Sequence, residues 1–151
     1  MPETSDQFDL MQYDYVVDAI DTVTGKMELI KKANLAGVPI ISSMGAGNKM
    51  NPTAFEVADI YKTSVCPLAK VIRKLCRENG IPHLKVVYSR EQPLQLFENS
   101  TDNNQAECVN SSDITTPKSQ QKRQVPGSNA FVPAVVGLII AGEVIKDLIK
   151  A

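Results

Sequence analysis

Two short apolar segments with polar ends constrain this chain more than any other feature of its sequence. The first is YVVDAID at residues 15–21, and the second is PIISSMGAG at residues 39–47. Each is rich in β-branched residues and turns polar or glycine-rich at its carboxyl end, and an amphipathic segment separates them. This is the pattern of a parallel βαβ unit, in which two buried strands end side by side at one edge of a sheet. Because ligands of open α/β sheets bind at that edge, Asp21 and the SMGAG loop (residues 43–47) are the first candidates for a binding site.

Three helices are predicted from capping residues and apolar periodicity. The first begins at a threonine cap, Thr22 or Thr24, and ends at Gly37. The second covers residues 64–79, and the last begins at Pro133 with an apolar first half that is expected to be buried all round or covered by a partner. The apolar faces of the first two helices are predicted to comprise Met27, Leu29, Ile30, Ala33 and Leu35, and Leu68, Val71, Ile72, Leu75 and Cys76, respectively.

The strand pattern and the remaining segments define the expected fold class. FEVAD at 55–59 and LKVVYS at 84–89 read as two further strands, and the second follows a helix and a short loop, which suggests a parallel crossover. Residues 91–125 are polar with few apolar anchors, which predicts a mobile crossover-type loop. The prediction is one α/β domain over residues 1–151: a partial doubly wound, Rossmann-like sheet with flanking helices, the polar loop and a C-terminal helix.

Composition excludes several classes of protein. A chain of 151 residues fits one domain, and its formal net charge of -1 argues against a surface coated for nucleic acid. Cys66, Cys76 and Cys108 show no CxxC spacing and no signal peptide precedes them, so a reduced, cytoplasmic protein is expected. His83 is the only histidine, so a zinc site or a Ser-His-Asp triad could draw on no other, and its turn-like IPHL context predicts a structural role. The most apolar run, 132–141, is too short to span a bilayer.

Several motifs in a fixed order resemble one protein family. They are YVVDAID-x4-K, PIISSMGAG, VADIYKT, PLAK-x2-RKL and a closing AFVPA segment followed by an apolar helix. Together they resemble the ubiquitin-activating-enzyme-like superfamily, the ThiF/MoeB/HesA group, and within it the tRNA threonylcarbamoyladenosine dehydratases. The resemblance covers nearly the whole chain except the polar loop.

The resemblance implies a chemistry and a set of site residues. These enzymes bind ATP and Mg²⁺ and adenylate a carboxylate, which in the tRNA dehydratases belongs to the threonylcarbamoyl group next to the anticodon. Asp21 matches the family's metal-binding aspartate and is the implied catalytic residue, with Lys26, Gly45 and Gly47 beside the nucleotide. Each has a simpler alternative: Asp21 as an acid favouring the dipole of the following helix, Lys26 as an exposed helix lysine, and the glycines as parts of a tight turn. Asp18, within the strand, is predicted to be a hydrogen-bonded structural carboxylate.

A basic face on the second predicted helix suggests a contact with tRNA. The basic residues on this face are Lys70, Arg73, Lys74 and Arg77. Each can neutralise a phosphate of tRNA, although a solvated helix face explains the same pattern. The same two explanations apply to Lys118, Lys122 and Arg123 in the polar loop. Cys108 in that loop is either a reactive thiol or, since no base is visible beside it, a bystander.

Two departures from the family pattern change what is expected of this chain. Family members carry a GxGGVGS-type loop, a ribose-binding acid and phosphate-binding arginine and lysine before the region matched here, and this sequence lacks them. The sequence therefore predicts the C-terminal part of an adenylating domain that does not adenylate by itself. The absence of paired CxxC motifs argues against the zinc-bearing relatives that activate sulfur-carrier proteins.

Three functions remain open at this point: part of a tRNA dehydratase, a non-catalytic dimerisation or tRNA-docking module, and an activator of a ubiquitin-like or sulfur-carrier protein. An uncovered apolar strand edge and helix faces also predict self-association, most simply as a homodimer.

Overall fold

A computed structural model describes residues 8–94 and 127–150. In these ranges four strands form one mixed sheet in the order β1-β2-β4-β3: β1 Val16–Asp18, β2 Ile40–Ser43, β3 Phe55–Asp59 and β4 Lys85–Ser89. Strands β1, β2 and β4 are parallel, and β3 is antiparallel to β4. The predicted α/β class is confirmed. The predicted polar loop at 91–125 lies outside the described residues from residue 95 onward, together with Cys108, Lys118, Lys122 and Arg123.

Helices cover both faces of this sheet. Helices α1 (Val23–Ala36) and α2 (Pro67–Glu78) pack on one face, where Ile30, Ile72 and Val86 belong to one apolar cluster. Helix α3 (Val132–Lys150) packs on the other face. The architecture is therefore three layered, helix–sheet–helix, and the two parallel strands of the predicted βαβ unit are β1, at one edge of the sheet, and its neighbour β2.

The two strands of the βαβ unit are shorter than predicted, for local reasons. Strand β1 ends at Asp18 because the Asp18 carboxylate accepts a hydrogen bond from the main-chain N–H of Ile20 at 2.9 Å, which turns the chain. Asp21 therefore lies beyond the strand rather than at its last position. Strand β2 begins at Ile40 because Val38 N–H donates to the Ala33 carbonyl at 3.0 Å and remains part of the helix end.

The predicted parallel crossover into β4 is confirmed with β2 as the parallel partner. Strand β3, which comes before α2 in the chain, instead runs antiparallel to β4 with Phe55 opposite Ser89. The chain reverses in a 3-10 turn at Pro52–Ala54, which the Asn51 side chain caps through Thr53 N–H. A turn of this kind leaves no apolar periodicity, so the sequence pattern did not reveal the direction of β3.

Two predictions of buried apolar side chains are also wrong. Leu35 in α1 is 85% exposed and Val71 in α2 is 45% exposed, because each helix presents only one narrow stripe to the sheet. In α3, Val136 and Ile140 are buried, but Leu138 is 73% exposed. Of the two alternatives predicted for the first half of this helix, burial all round is not observed within the described chain, and cover by a partner stays a prediction.

The N-terminus of α1 depends on a glycine. Thr22 caps the helix by accepting a hydrogen bond from Gly25 N–H at 3.3 Å, and a Cβ added at Gly25 would lie 2.8 Å from that same threonine oxygen. We expect Gly25→Ala to destabilise the chain by about 1 kcal/mol, the usual value of an N-cap. Urea unfolding of both variants tests this, with Gly142→Ala in α3 as the matched control. Nothing lies within 4 Å of a Cβ at Gly142, so that change is expected to stabilise by about 0.5–1 kcal/mol. Equal effects of the two substitutions would contradict the capping account.

A polar network ties α3 to the sheet. Lys85 of β4 contacts Asp147 at 2.8 Å and Glu143 at 2.8 Å, and the Tyr15 hydroxyl donates to Asp147 at 2.8 Å. Hydrogen bonds from Lys85 lower the pKa of both carboxyl groups. Burial, reinforced by the hydrogen bond to Asp147, raises the pKa of Tyr15 to about 12. The C-terminal half of α3 is thus anchored by charge in addition to the apolar packing of Val144.

This network predicts acid-dependent stability. Because the pKa values of Glu143 and Asp147 are lowered in the folded chain, their contribution to stability is present above about pH 4 and is lost as the pH falls through the folded values. Lys85→Met should therefore lower the urea midpoint at pH 7 and have progressively less effect towards pH 3. Urea titrations at several pH values measure this, with exposed Lys62→Met as the control. A Lys85→Met effect that is the same at pH 7 and pH 3 would rule the account out.

Candidate functional site

A cavity of about 880 Å³ opens at the carboxyl ends of β1 and β2. Its wall combines the β1–α1 turn, the SMGAG loop, the start of α2 and one side of α3, and its residues include Ile20, Asp21, Lys26, Met44, Gly45, Gly47, Lys49, Cys66, Leu68, Val136 and Ile140. The predicted position of the site at this sheet edge agrees with this cavity. All four residues predicted to lie beside the nucleotide, Asp21, Lys26, Gly45 and Gly47, line it.

A buried ion pair lies beneath the cavity. The ammonium of Lys26 lies 3.1 Å from the Asp18 carboxylate and donates to the Ser43 carbonyl at 2.6 Å. Asp18 also accepts from the Ser42 hydroxyl at 2.5 Å, and the side chains of Lys26 and Asp18 are 1% and 0% exposed. This arrangement joins the ends of β1 and β2 to the first turn of α1. Asp18 is the hydrogen-bonded structural carboxylate that the sequence predicts, whereas the interpretation of Lys26 as an exposed lysine is wrong.

Asp21 lies in the turn between β1 and α1, directly before the cap residue Thr22. It is exposed and lines the cavity, and within the described residues its carboxylate has no hydrogen-bond donor. An exposed carboxylate with its oxygens available fits a hard cation such as Mg²⁺, whose preferred ligands are oxygens. The same position lies beside the N-terminus of α1, so the structure is consistent with both explanations of this residue.

The SMGAG loop is shaped by the asparagine that follows it, and neither Gly45 nor Gly47 has a positive φ. Asn48 has a positive φ of 56°, and a Cβ at Gly45 would make only an ordinary contact, 3.9 Å from Leu68. The main chain of Asn48 accepts from Leu94 N–H and donates to the Gly127 carbonyl, both at 2.8 Å. Asn48 therefore holds together the two described ends of the chain that flank residues 95–126, beside the cavity.

Lys49, two residues after the last glycine of this loop, is buried. Only 2% of its surface is exposed, and its ammonium donates to the Glu91 carbonyl at 2.6 Å. Burial lowers the pKa of Lys49. A lysine that follows a glycine-rich loop is normally expected to be solvated. No periodic sequence pattern predicts burial at this position, so only the tertiary structure reveals it.

The basic face of α2 is partly used within the fold. Arg73 donates from one nitrogen to both the carbonyl and the hydroxyl of Thr63 at 2.7 Å, and Arg77 lies over the Tyr61 ring at 5.5 Å. Lys74 lies 3.7 Å from Glu78, an exposed pair of little energetic weight. Lys70 is exposed. Of the four predicted tRNA-binding residues, Arg73 is the one whose guanidinium forms hydrogen bonds within the described fold.

Other site chemistries find no support in the described part of the chain. Residues 8–94 and 127–150 contain no group of three or more His, Cys, Asp or Glu side chains placed to hold a metal. Cys66 and Cys76 are buried free thiols, and burial raises the pKa of Cys76 to about 11. No helix in these ranges is long and apolar enough to cross a membrane.

The fold and the cavity at the strand ends define an α/β protein with a Rossmann-like sheet, and comparison with known proteins specifies the family. A model of the ThiF family matches residues 2–151, and the chain belongs to this family. It is 41% identical over 152 residues to the tRNA threonylcarbamoyladenosine dehydratase of Bacillus subtilis (strain 168), covering 98% of this chain and 56% of that protein. It is also 41% identical over 81 residues to tRNA threonylcarbamoyladenosine dehydratase 2 of Saccharomyces cerevisiae, covering 53% of this chain and 18% of that protein.

Solved structures agree with this assignment. The Escherichia coli tRNA N6-threonylcarbamoyladenosine dehydratase in complex with AMP matches with a TM-score of 0.71 at 25% identity, over 99% of this chain and 54% of that one. The same enzyme in complex with ATP matches with a TM-score of 0.56 at 31% identity, over 62% of this chain and 42% of that one. This chain spans about half the length of the Bacillus subtilis relative.

Proposed function

We propose that this chain forms one wall of an ATP-dependent adenylating site that activates the carboxylate of threonylcarbamoyladenosine in tRNA for cyclisation. The observation that carries the proposal is the exposed carboxylate of Asp21 in a large cavity at the ends of two parallel strands, in a chain whose relatives are tRNA threonylcarbamoyladenosine dehydratases. In such a reaction a carboxylate oxygen attacks the α-phosphorus of ATP and pyrophosphate leaves. An internal nucleophile of the threonylcarbamoyl group then attacks the acyl carbon, and AMP leaves with the oxygen.

We assign roles to the residues of this chain as follows. Asp21 would hold Mg²⁺, which when bound neutralises charge on the phosphates. Lys26 would act from beneath, by fixing the ends of β1 and β2 through Asp18 and Ser43, and Gly45 and Gly47 would let ligand approach the main chain closely. The alternative in which Lys26 contacts a phosphate would require its ammonium to leave these two partners.

We propose that tRNA approaches along the exposed part of the basic face of α2. Lys70, Lys74 and Arg77 are exposed there and can each contact a phosphate, while Arg73 ties the helix to the 3-10 turn that precedes it through Thr63. Such a substrate also fits the predicted cytoplasmic location. Activation of a ubiquitin-like or sulfur-carrier protein is less well supported, since the curated relatives named above are tRNA-modifying enzymes.

We also propose that the chain self-associates, in the simplest case as a homodimer. Strand β1 is an edge of the described sheet with Val17 48% exposed, and α3 exposes Leu138, Ile145 and Ile149 at 73%, 57% and 79%. Exposed apolar surface of this extent favours association. Light scattering across a concentration series tests it, and a monomer at the highest concentration would refute it.

The enzymatic proposal is tested by cyclisation of threonylcarbamoyladenosine in tRNA. The chain is expressed in a bacterial strain whose own dehydratase gene has been deleted, alone and together with the part of the Bacillus subtilis relative that it does not match. Mass spectrometry of digested tRNA then measures conversion of the open nucleoside to the form lighter by one water. Conversion in the combined strain is the expected result, and no conversion in either strain, with both polypeptides present in the cell extract, would contradict the proposal.

A further inference from the structure

Lys49 has the environment of a ligand-binding residue rather than that of a structural one. It lines the cavity, yet only 2% of its surface is exposed. Its positive charge is therefore largely withdrawn from water. Withdrawing an ammonium from water is costly unless anions or several hydrogen bonds compensate. Within the described residues its one hydrogen-bond acceptor is the main-chain carbonyl of Glu91 at 2.6 Å. An ammonium has three donors, so two remain for other partners.

The charged groups around Lys49 compensate it only in part. The Glu91 carboxylate attracts it, but that carboxylate already accepts hydrogen bonds from the main-chain N–H groups of Met50 and Asn51, at 3.0 Å and 2.9 Å for the nearer oxygens. The lowered pKa that burial gives Lys49 agrees with incomplete compensation. An anion entering the cavity would supply what is missing.

The start of α2 adds to the same field. Cys66 occupies the N-cap position without forming a side-chain cap, and both Cys66 and Leu68 line the cavity beside Lys49. The first N–H groups of a helix have no partner within the helix and carry partial positive charge. The helix terminus alone would not define a site. Together with the buried lysine it makes this side of the cavity favourable for an anion.

The position of Lys49 separates it from Asp21. Its ammonium is held by Glu91, which follows β4, and β4 lies two strands from β1 in the sheet. At the usual spacing of strands, the axes of β1 and β4 lie about 10 Å apart. A ligand assembly that extends across these strand ends would place the metal and phosphates at Asp21 and a second anionic group at Lys49.

We infer that Lys49 binds the carboxylate of the threonylcarbamoyl group and orients it before adenylation. This rests on the proposed function for the identity of the anion, and it adds a residue that recognises the substrate's acid. The ammonium contacts the carboxylate through its two available protons, while Glu91 holds the third. The result is selectivity for the acid over its neutral analogues, because a charge-assisted hydrogen bond is stronger than a neutral one.

The test compares binding of two nucleosides to the whole chain, N6-threonylcarbamoyladenosine and its carboxamide analogue, which lacks only the negative charge. Isothermal titration of the wild-type chain should show at least about tenfold tighter binding of the acid. Lys49→Gln keeps a donor for the Glu91 carbonyl but removes the charge, and should bring the ratio of the two affinities close to one. Lys31→Gln, at an exposed position of α1, is the matched control and should keep the wild-type ratio.

Three results would overturn the inference: wild-type chain that binds neither nucleoside, wild-type chain without preference for the acid, and Lys49→Gln with the preference intact. A fourth concerns the source of the anion. If Lys49→Gln weakens binding of AMP about tenfold and leaves the acid preference unchanged, Lys49 binds phosphate instead. If the circular dichroism spectrum shows that Lys49→Gln is unfolded, the test is the NMR signal of the Lys49 Cε in the wild-type chain. The acid should shift this signal and the carboxamide should not.

Failure of this binding experiment can be distinguished from failure of the enzymatic proposal. Acid preference without cyclisation in cells would leave the Lys49 site standing and remove the proposed reaction. Cyclisation without acid preference would do the reverse.

Discussion

Asp18→Asn is expected to destabilise the chain by about 3–5 kcal/mol, the largest effect on stability of any substitution considered for it. The substitution keeps the size and shape of the side chain but leaves the Lys26 ammonium buried without its anion, since the two side chains are 0% and 1% exposed. The Ser43 carbonyl alone cannot offset the loss of hydration of a full charge. Urea unfolding at pH 7, followed by circular dichroism, measures the change in the free energy of unfolding.

Two further variants separate the buried pair from charge removal in general. Glu78→Gln breaks an exposed pair with Lys74 and should change stability by less than about 1 kcal/mol. The double variant Asp18→Asn with Lys26→Met removes both charges and should recover much of the loss, because the cost lies in the unpaired ion rather than in the absence of the pair. A double variant as unstable as Asp18→Asn alone would show that the pair is not the cause.

Asp21→Asn is expected to lower cyclisation of threonylcarbamoyladenosine about 100-fold or more, the size of effect usual when a group that stabilises transition-state charge is removed. Asparagine keeps the shape of the side chain but removes the charge that would hold Mg²⁺. The measurement is the rate of conversion in the combined expression strain described above, read by mass spectrometry of digested tRNA.

Stability should not follow activity in this variant. Asp21 is exposed and has no hydrogen-bond donor among the described residues. The urea midpoint of Asp21→Asn should therefore remain close to that of the wild-type chain. Asp14→Asn, an exposed acid before β1, is the matched control and should retain full conversion. Wild-type conversion by Asp21→Asn would exclude Asp21 from the reaction and favour its simpler role at the helix N-terminus.

Local sequence signals predicted much of the frame of this molecule. The cap at Thr22 and the left-handed Gly37, with φ of 69°, are confirmed as the two ends of α1. The parallel pairing of β1 with β2 followed from two apolar runs on either side of a helix. These features depend on neighbouring residues, whose spacing and conformational preferences are visible in sequence.

The misses arise where distant residues decide the structure. Lys26 and Lys49 are both buried, one by Asp18 across a βα turn and the other by a segment more than forty positions away. A lysine is almost never buried without a partner, so Asp18 within an apolar strand was the one signal that a buried cation had to be near. No such signal preceded Lys49, whose partner is a main-chain carbonyl and carries no sequence signature.

The central claim is that the ends of β1 and β2 form a wall of a metal–nucleotide site, and Mn²⁺ tests it most directly. Paramagnetic Mn²⁺ with ATP is added to the isotopically labelled chain, and line broadening of main-chain amide signals reports the distance of each residue from the metal. The account predicts broadening centred on residues 19–22 and 45–47, and its loss in Asp21→Asn. Broadening centred on the carboxylates of α3, or none at any amide when ATP is in excess, would contradict it.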